Sequence, residues 1–361
     1  ISMPRKRDST LSEPSSVKRR KLTDNISSES QSPAQPRMTE KEKEKLVHWL
    51  DQADKKDGPI FNVVVPAKGH GAKKSSDSTE KPLILGDRIY LEARWAVKPM
   101  EKWSQMTKYK KLYASLGNQT HSCGDCVLVK PGNDSGPDWK AQVHEVRAAD
   151  EHHVFLRCTW LENPEELPKE ARTMPPYHGR FELVPGNKMD VIDALTVNGP
   201  LKVVHWDESN DDAEMPGPGE YFWRQTYNYN TKVLSPLRLI CECKQPHNPD
   251  HLIVKCSNQA CGIWLHASCL AKDVVQRKQQ EQGIKAEPGT KGRKQARKSV
   301  GKTSGTKAAA DDNGACEEDE NTKAELVVPE SAAPEMLVTN KKTGDEAKEP
   351  VHCLSCKELI Q

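Results

Sequence analysis

The feature that most limits how this chain can fold is a set of seven cysteines and one histidine arranged in four short pairs. Three pairs lie between residues 241 and 269, and the fourth follows after 83 intervening residues. The pairs are Cys241 and Cys243, Cys256 and Cys261, His266 and Cys269, and Cys353 and Cys356. A structural zinc ion takes four sulfur or nitrogen ligands, and a short pair supplies two of them from one tight turn. Eight ligands therefore predict two closed zinc sites.

Disulfides are the alternative use of these cysteines. The first residues of the chain contain no apolar segment of the kind that directs secretion, and disulfide frameworks belong mainly to secreted proteins. Metal-bound thiolates in a reducing compartment are therefore the better interpretation. His352, next to Cys353, is kept as an alternative ligand. Cys123 and Cys126 also have ligand spacing, but no second pair accompanies them, so we expect them to pack in a core.

Composition restricts folded structure to parts of the chain. The mean hydropathy is −0.80 and only 5% of residues are aromatic, and no uncharged apolar run approaches the length of a membrane span. We therefore expect local domains, separated by segments too polar to fold, and no association with membranes. The predicted segments are a disordered N-terminal arm at 1–80, a β-rich domain at 82–206, an acidic linker at 207–219, a zinc finger at 220–270 plus 351–361, and a disordered insert at 271–350.

Two local signals lie in the predicted arm. Thr39 and Glu42 have the spacing of a capping box, which predicts one short helix from Thr39. A basic cluster suits import into the nucleus or weak contact with DNA phosphates, and a merely solvated charge run is the alternative. Its members are Lys18, Arg19, Arg20 and Lys21.

The order of the ligands resembles that of the PHD finger, in which the histidine is the fifth of eight ligands and an aromatic residue stands two positions before it. Trp264 has that position relative to His266. A RING-type ubiquitin-ligase finger has its histidine fourth. The resemblance implies a cross-brace, in which the ligands of one zinc alternate along the chain with those of the other. It implies one site from Cys241, Cys243, His266 and Cys269, and another from Cys256, Cys261, Cys353 and Cys356.

The PHD resemblance also implies a role for Trp264 as one wall of an aromatic cage for the methylated histone H3 tail. The other cage positions, Ile240, His247 and Ile253, carry no Trp, Tyr or Phe. Support of folding and binding of an unmodified tail are the alternative roles of this finger.

Residues 82–206 resemble the bromo-adjacent-homology (BAH) domain, as it occurs with a PHD finger in fungal chromatin readers such as the effector of Polycomb repression family. The motifs that carry the resemblance lie at 122–127, 160–167, 177–183, 187–192 and 222–225. The implied fold is a β-rich, partly open barrel-like BAH domain, followed by a small cross-brace zinc finger of PHD type and accompanied by long disordered segments.

Several BAH domains of this class bind trimethylated lysine 27 of histone H3, and the resemblance therefore implies a methyl-lysine cage. Aromatic faces attract a trimethylammonium group, which cannot donate a hydrogen bond. The cage positions fall on Trp139, Trp160 and Glu162, and Tyr177 is a further candidate wall. The carboxylate of Glu162 would add Coulomb attraction, favour a lower methylation state or reflect a decayed site. Ordinary packing is the alternative for both tryptophans.

Three further positions match the peptide groove of the family. They are His178, Glu182 and Asn187, for which structural hydrogen bonding is an equally good account.

We therefore expect a nuclear, non-enzymatic reader of a methylated histone H3 tail that acts in transcriptional repression. Its implied partners are nucleosomes and corepressor proteins, with two zinc ions as cofactors and no small-molecule substrate. A scaffold for nucleosomal DNA or a corepressor, with a vestigial cage, is the first alternative, and a ubiquitin or SUMO ligase is the second. The chain carries no catalytic signature for methyl transfer or nucleophilic hydrolysis.

Two motifs lie in the predicted insert. The segment around Lys298 shares an Ala-Arg-Lys-Ser core with the histone H3 tail, which suggests a histone mimic that binds the protein's own BAH pocket. A chance match in a lysine-rich segment is the alternative. Lys285 has the hydrophobic-Lys-x-Glu form of a sumoylation site.

Overall fold

The computed structural model describes residues 38–56, 58–64, 81–85, 88–93, 95–114, 119–132, 136–171, 177–281, 316–318, 321–329 and 332–361. The chain divides into two compact units, Ile1–Leu161 with Asn187–Leu201, and Glu162–Gly186 with Lys202–Gln361. The basic cluster at 18–21 and the motifs around Lys285 and Lys298 lie outside the described residues. Among the described residues, no helix is long and apolar enough to cross a membrane.

The first unit begins with the helix predicted from the capping box. Helix α1 spans Glu40–Asp54. The Thr39 hydroxyl accepts a hydrogen bond from the Glu42 backbone N–H, and the Glu42 carboxylate accepts one from the Thr39 N–H at 2.8 Å. These reciprocal bonds satisfy backbone donors that the first turn of a helix leaves unpaired.

The apolar face of α1 is part of the core of the first unit. Leu46 and Leu50 are buried, and Trp49 lies 6.1 Å from Phe61, centroid to centroid. Phe61 in turn contacts the ring of Phe155 edge-on at 5.2 Å. The short helix predicted within the arm is therefore present, but the prediction of disorder elsewhere in 1–80 is wrong for 58–64, because Phe61 packs with the amphipathic helix into the core.

The rest of the first unit is rich in strands. In chain order its elements are β1 Asn62–Val64, β2 Lys81–Leu85, β3 Arg88–Ala93, β4 Ala96–Lys98, α2 Met100–Gln105, β5 Thr107–Tyr109, β6 Lys111–Ala114, β7 Gln119–Ser122, β8 Cys126–Val129, β9 Trp139–Ala148, β10 Val154–Glu162, β11 Val184–Asp193, the 3₁₀ turn Ala194–Thr196 and β12 Val197–Leu201. Strand β11 is divided between the two units at Asn187.

The main sheet of the first unit has the strand order β12, β8, β9, β10 and β11, and β5 also pairs with β9. Its core contains Val127, Val143, Leu156 and Cys158. This architecture confirms a β-rich fold, but the bounds differ from the predicted 82–206, because residues 162–186 and 202–206 group with the second unit. Cys123, which we expected in a core, is exposed, because it lies in the turn that precedes β8.

The second unit contains short hairpins and then a helix with a sheet. Its elements are the start of β11, β13 Val203–His205, β14 Tyr221–Trp223, β15 Tyr227–Asn228, β16 Val233–Leu234, β17 Leu239–Ile240, β18 Gln245–Pro246, β19 Ile253–Lys255, β20 Trp264–His266, α3 Ala267–Glu281, β21 Cys316–Glu318, β22 Thr322–Val327, β23 Glu335–Asn340 and β24 Glu346–Pro350. Strands β21 to β24 form a four-stranded antiparallel sheet in sequence order.

The prediction of a disordered insert over 271–350 is wrong for α3 and for the sheet β21 to β24. Buried side chains of α3, such as Leu270 and Val274, belong to one core with Leu326 and Met336 of the sheet. In β22 the buried Thr322, Ala324 and Leu326 alternate with the charged Lys323 and Glu325. Such a strand has a low average hydropathy although one of its faces is buried, and composition alone therefore hides it.

Candidate functional site

Four of the predicted ligands meet where β17, β20 and α3 come together. The Cys243 sulfur lies 3.3 Å from Nδ1 of His266, and the Cys269 sulfur lies 3.8 Å from the same nitrogen. With Cys241, these ligand atoms all lie within 4.8 Å of one another. Cys241 directly follows β17 with a left-handed backbone (φ 62°), which turns the chain so that both members of the first pair reach the cluster.

The other four predicted ligands form a second cluster. The sulfurs of Cys256 and Cys356 lie 3.6 Å apart, and those of Cys261 and Cys353 lie 3.8 Å apart. The last pair is separated from the third pair by 83 residues in sequence and reaches the cluster from the sheet β21 to β24, since β24 ends three residues before Cys353. His352 belongs to neither cluster, and its Nδ1 lies 3.2 Å from the carbonyl oxygen of Lys357.

The geometry of both clusters fits tetrahedral metal ions. Sulfur ligands ~2.3 Å from a tetrahedral centre lie ~3.8 Å apart, which agrees with the sulfur separations of the second cluster. In the first cluster the pKa of the Cys241 thiol is lowered to about 3, chiefly by a hydrogen bond with the Cys269 thiol. The same bond raises the pKa of Cys269, so the case for one ion in each cluster is the close approach of its four donor atoms.

The clusters share their apolar core with α3 and the sheet. Leu265, beside the ligand His266, and Val351, near the ligand Cys353, are buried in the same core as Leu270 and Met336. Metal binding at the clusters would therefore be coupled to the folding of the helix-and-sheet segment through one packed interior.

The first unit brings Trp139 and Trp160 together. Trp139 begins β9 and Trp160 lies in β10, which pairs antiparallel with β9 so that Trp160 faces Ala141. Diagonal neighbours across such a pair are within reach of large side chains. The two ring centroids are 5.5 Å apart and the ring planes are at 85°. Trp139 is 51% exposed, so its indole is not held in a core, whereas Trp160 packs partly against the core of the first unit. The two rings form an edge-to-face aromatic corner.

The other two predicted cage residues belong to the second unit and have partners there. The Glu162 carboxylate accepts a hydrogen bond from the Tyr229 hydroxyl. Burial raises the pKa of Tyr229, and this bond raises it further. Tyr229 also packs against the backbone of Gly186, where an added Cβ would lie 2.8 Å from its ring. The Tyr177 hydroxyl donates to the side chain of Gln245.

Sequence reasoning missed Tyr229. Its bond to Glu162 joins residues 67 positions apart in the chain. The only local signal was a pair of alternating tyrosines, since Tyr227 and Tyr229 are two residues apart and their rings meet edge-on at 4.7 Å.

The predicted groove residues divide into different roles. Glu182 is 1% exposed, and its carboxylate accepts hydrogen bonds from the Gly179 N–H at 2.9 Å and from Nε of Arg224 at 3.1 Å. A carboxylate buried in this way cannot contact a bound peptide. The position therefore favours a structural, hydrogen-bonding role for Glu182. His178 is hydrogen-bonded to Gln225 at 2.9 Å, and Asn187 is buried.

Arg224 connects several segments of the second unit to the Glu182 carboxylate. Its side chain is fully buried and its guanidinium also donates to the Glu208 carboxylate and to the backbone carbonyls of Tyr177 and His247, both at 2.8 Å. The planar fork of arginine suits several acceptors at once. Arg224 thus joins the 177–182 segment, the start of the predicted linker and the zinc-finger region.

The predicted linker at 207–219 is ordered and contacts the finger. The Asp211 carboxylate accepts a hydrogen bond from Nε1 of Trp264 at 3.0 Å and pairs with Lys255 at 2.6 Å. Arg238 also donates to Asp211. Trp264 is therefore part of a polar network as well as a candidate cage wall.

Two relatives share about half of the chain. The chromatin remodeling protein EBS of Arabidopsis thaliana is 31% identical over 172 residues, which cover 47% of this chain and 71% of EBS. The chromatin remodeling protein SHL of the same plant is 30% identical over 177 residues, which cover 48% of this chain and 74% of SHL. The chain belongs to the BAH–PHD family of chromatin proteins. Both relatives are plant proteins. The comparison therefore shows the BAH–PHD family, but it does not show that the chain belongs to the fungal members of that family.

Two other comparisons add little to the BAH–PHD assignment. No protein-family model matches the chain. The crystal structure of the yeast Rsc2 BAH domain matches with a TM-score of 0.27 and 17% sequence identity, over 37% of this chain and 55% of that chain.

Proposed function

We propose that this BAH–PHD protein is a non-catalytic reader that binds a trimethylated lysine of the histone H3 tail at the aromatic corner of Trp139 and Trp160. The observation that supports this proposal is the perpendicular pair of rings, one of them half-exposed, at the cage positions of the family. A trimethylammonium group placed in the angle between the two rings would be attracted by their quadrupoles. The family resemblance favours trimethylated lysine 27 as the mark. We further propose that the protein acts in the nucleus, in transcriptional repression.

We propose zinc as the metal of both clusters. Three thiolates with an imidazole, and four thiolates, are the donor sets of closed structural zinc sites. Zinc would supply rigid tetrahedral links between chain segments and no chemistry of its own. The eight ligands would then fix the fold of the finger, which contacts the ordered 207–213 segment.

Trp139→Ala tests the proposed corner. Because Trp139 is half-exposed, its removal should leave the fold intact while it deletes one ring face. We expect the affinity of the full chain for an H3 peptide centred on trimethylated lysine 27 to fall roughly 10- to 30-fold in isothermal titration calorimetry. The full chain is required, because a fragment that starts at residue 82 lacks α1 and Phe61, which belong to the core.

Two variants serve as controls. Trp139→Phe keeps an aromatic face and should retain most of the affinity, whereas Val233→Ala removes an exposed apolar side chain in the second unit and should change nothing. Equal affinity of Trp139→Ala and the parent protein would remove the corner from the binding site and favour the scaffold alternative.

A further inference from the structure

Trp264, the expected aromatic cage wall of the zinc finger, contacts a lysine of the same finger. Strands β19 and β20 pair so that Lys255 lies directly opposite Trp264. The Lys255 ammonium lies 5.5 Å from the centroid of the Trp264 ring. This distance is within the range of a cation–π contact.

Asp211 joins both members of this contact. Its carboxylate lies 2.6 Å from the Lys255 ammonium through one oxygen, and its other oxygen accepts the Trp264 indole N–H at 3.0 Å. Hydrogen bonds from Lys255, Arg238 and Trp264 hold the pKa of Asp211 well below its usual value. The carboxylate therefore stays charged and fixes the ammonium beside the ring.

Among the described residues, the expected PHD cage positions supply no accessible second aromatic ring. Among the positions expected to complete a PHD cage, Ile240 is buried in the finger core. His247 is also buried, and its Nε2 lies 2.9 Å from the His251 carbonyl oxygen. A methylated lysine of an external peptide would thus find only the ring of Trp264, which is already in contact with the Lys255 ammonium.

We propose that Trp264 takes Lys255 as an intramolecular ligand, with Asp211 as its counter-ion, and that this contact closes the finger to external methyl-lysine. An incoming trimethylammonium would have to displace an ammonium that is both paired and in contact with the ring, against the repulsion between the two cations. The finger then serves as a folded support in this chain. The inference does not depend on the Trp139–Trp160 corner, which lies in the first unit.

The test is performed on the full chain with Trp139→Ala, so that the aromatic corner does not contribute. Into this background Lys255→Met is introduced, which keeps the length of the side chain and removes its charge. The probe is a peptide of the histone H3 amino terminus with one trimethyl-lysine, titrated in a calorimeter or by fluorescence anisotropy. Lys272→Met, an exposed lysine of α3, is the matched control.

We expect Lys255→Met to raise the affinity for this probe roughly fivefold relative to Trp139→Ala alone, and Lys272→Met to leave it unchanged. Asp211→Asn should also raise the affinity for the trimethyl-lysine peptide. In an ¹⁵N spectrum it should shift the indole N–H resonance of Trp264. The proposal is overturned if Lys255→Met binds no better than its parent. It is also overturned if Lys255→Met weakens binding, since Lys255 would then assist an external ligand.

Discussion

Removal of the metal by a chelator is expected to unfold the finger together with α3 and the sheet β21 to β24. The ligand Cys353 is fully buried in the same core as Leu270 and Met336, so loss of the clusters removes the interior on which the sheet rests. Structural zinc contributes about 10–16 kcal/mol of apparent folding free energy in small zinc fingers. One helix and a four-stranded sheet bury too little apolar surface on their own to offset a loss of that size.

Hydrogen exchange measures this effect directly. Backbone amides of β22 and β23 should be protected in the metal-bound protein and should exchange rapidly after chelation. Cys353→Ser should reproduce the loss without a chelator, whereas Cys123→Ser, at an exposed cysteine outside both clusters, should not. Protection of β22 and β23 that survives complete metal removal would show that the helix-and-sheet segment folds independently of the clusters.

A second large effect is expected from Arg224→Met, which leaves the Glu182 carboxylate buried without its cation. Both side chains are fully enclosed, and two carbonyls and Glu208 lose their donor as well. Breaking a buried ion pair on one side costs about 3–5 kcal/mol, because an uncompensated charge is left in the interior. The free energy of unfolding, measured by urea denaturation, should fall by this amount.

The controls distinguish a buried network from ordinary surface charge. Arg277→Met removes an exposed i,i+4 pair with Asp273 and should change the free energy of unfolding by less than about 1 kcal/mol. Glu182→Met combined with Arg224→Met should recover part of the loss, because no unpaired Glu182 charge remains. A loss below about 1 kcal/mol for Arg224→Met alone would contradict the assigned role of Arg224.

What the sequence predicts well in this protein is local. The spacing of Cys241 and Cys243, and the capping box of Thr39 and Glu42, are each set by a few neighbouring residues, and the structure has the corresponding turn and helix. The identity of the last ligand pair was also predictable, although the reason that it reaches the cluster was not. That reason is the sheet β21 to β24, whose last strand ends three residues before Cys353.

What the sequence predicts poorly depends on distant partners. The ordering of 58–64 depends on contact between Phe61 and Phe155, which are far apart in sequence. The enclosure of Glu182 depends on Arg224, 42 positions later. The occupation of the Trp264 wall depends on a register that places Lys255 opposite it. Average composition and motif order carry no information on such pairings.

The measurement that tests the proposed function most directly is the affinity of the unmodified full chain for two H3 peptides, identical except for the methylation of lysine 27. Trimethylation leaves the charge of the lysine unchanged but gives it a larger, weakly hydrated cation that fits the faces of Trp139 and Trp160. We predict at least roughly tenfold tighter binding of the trimethylated peptide, and loss of this difference in Trp139→Ala. Equal affinities for the two peptides would contradict the assignment of the aromatic corner as a methyl-lysine site.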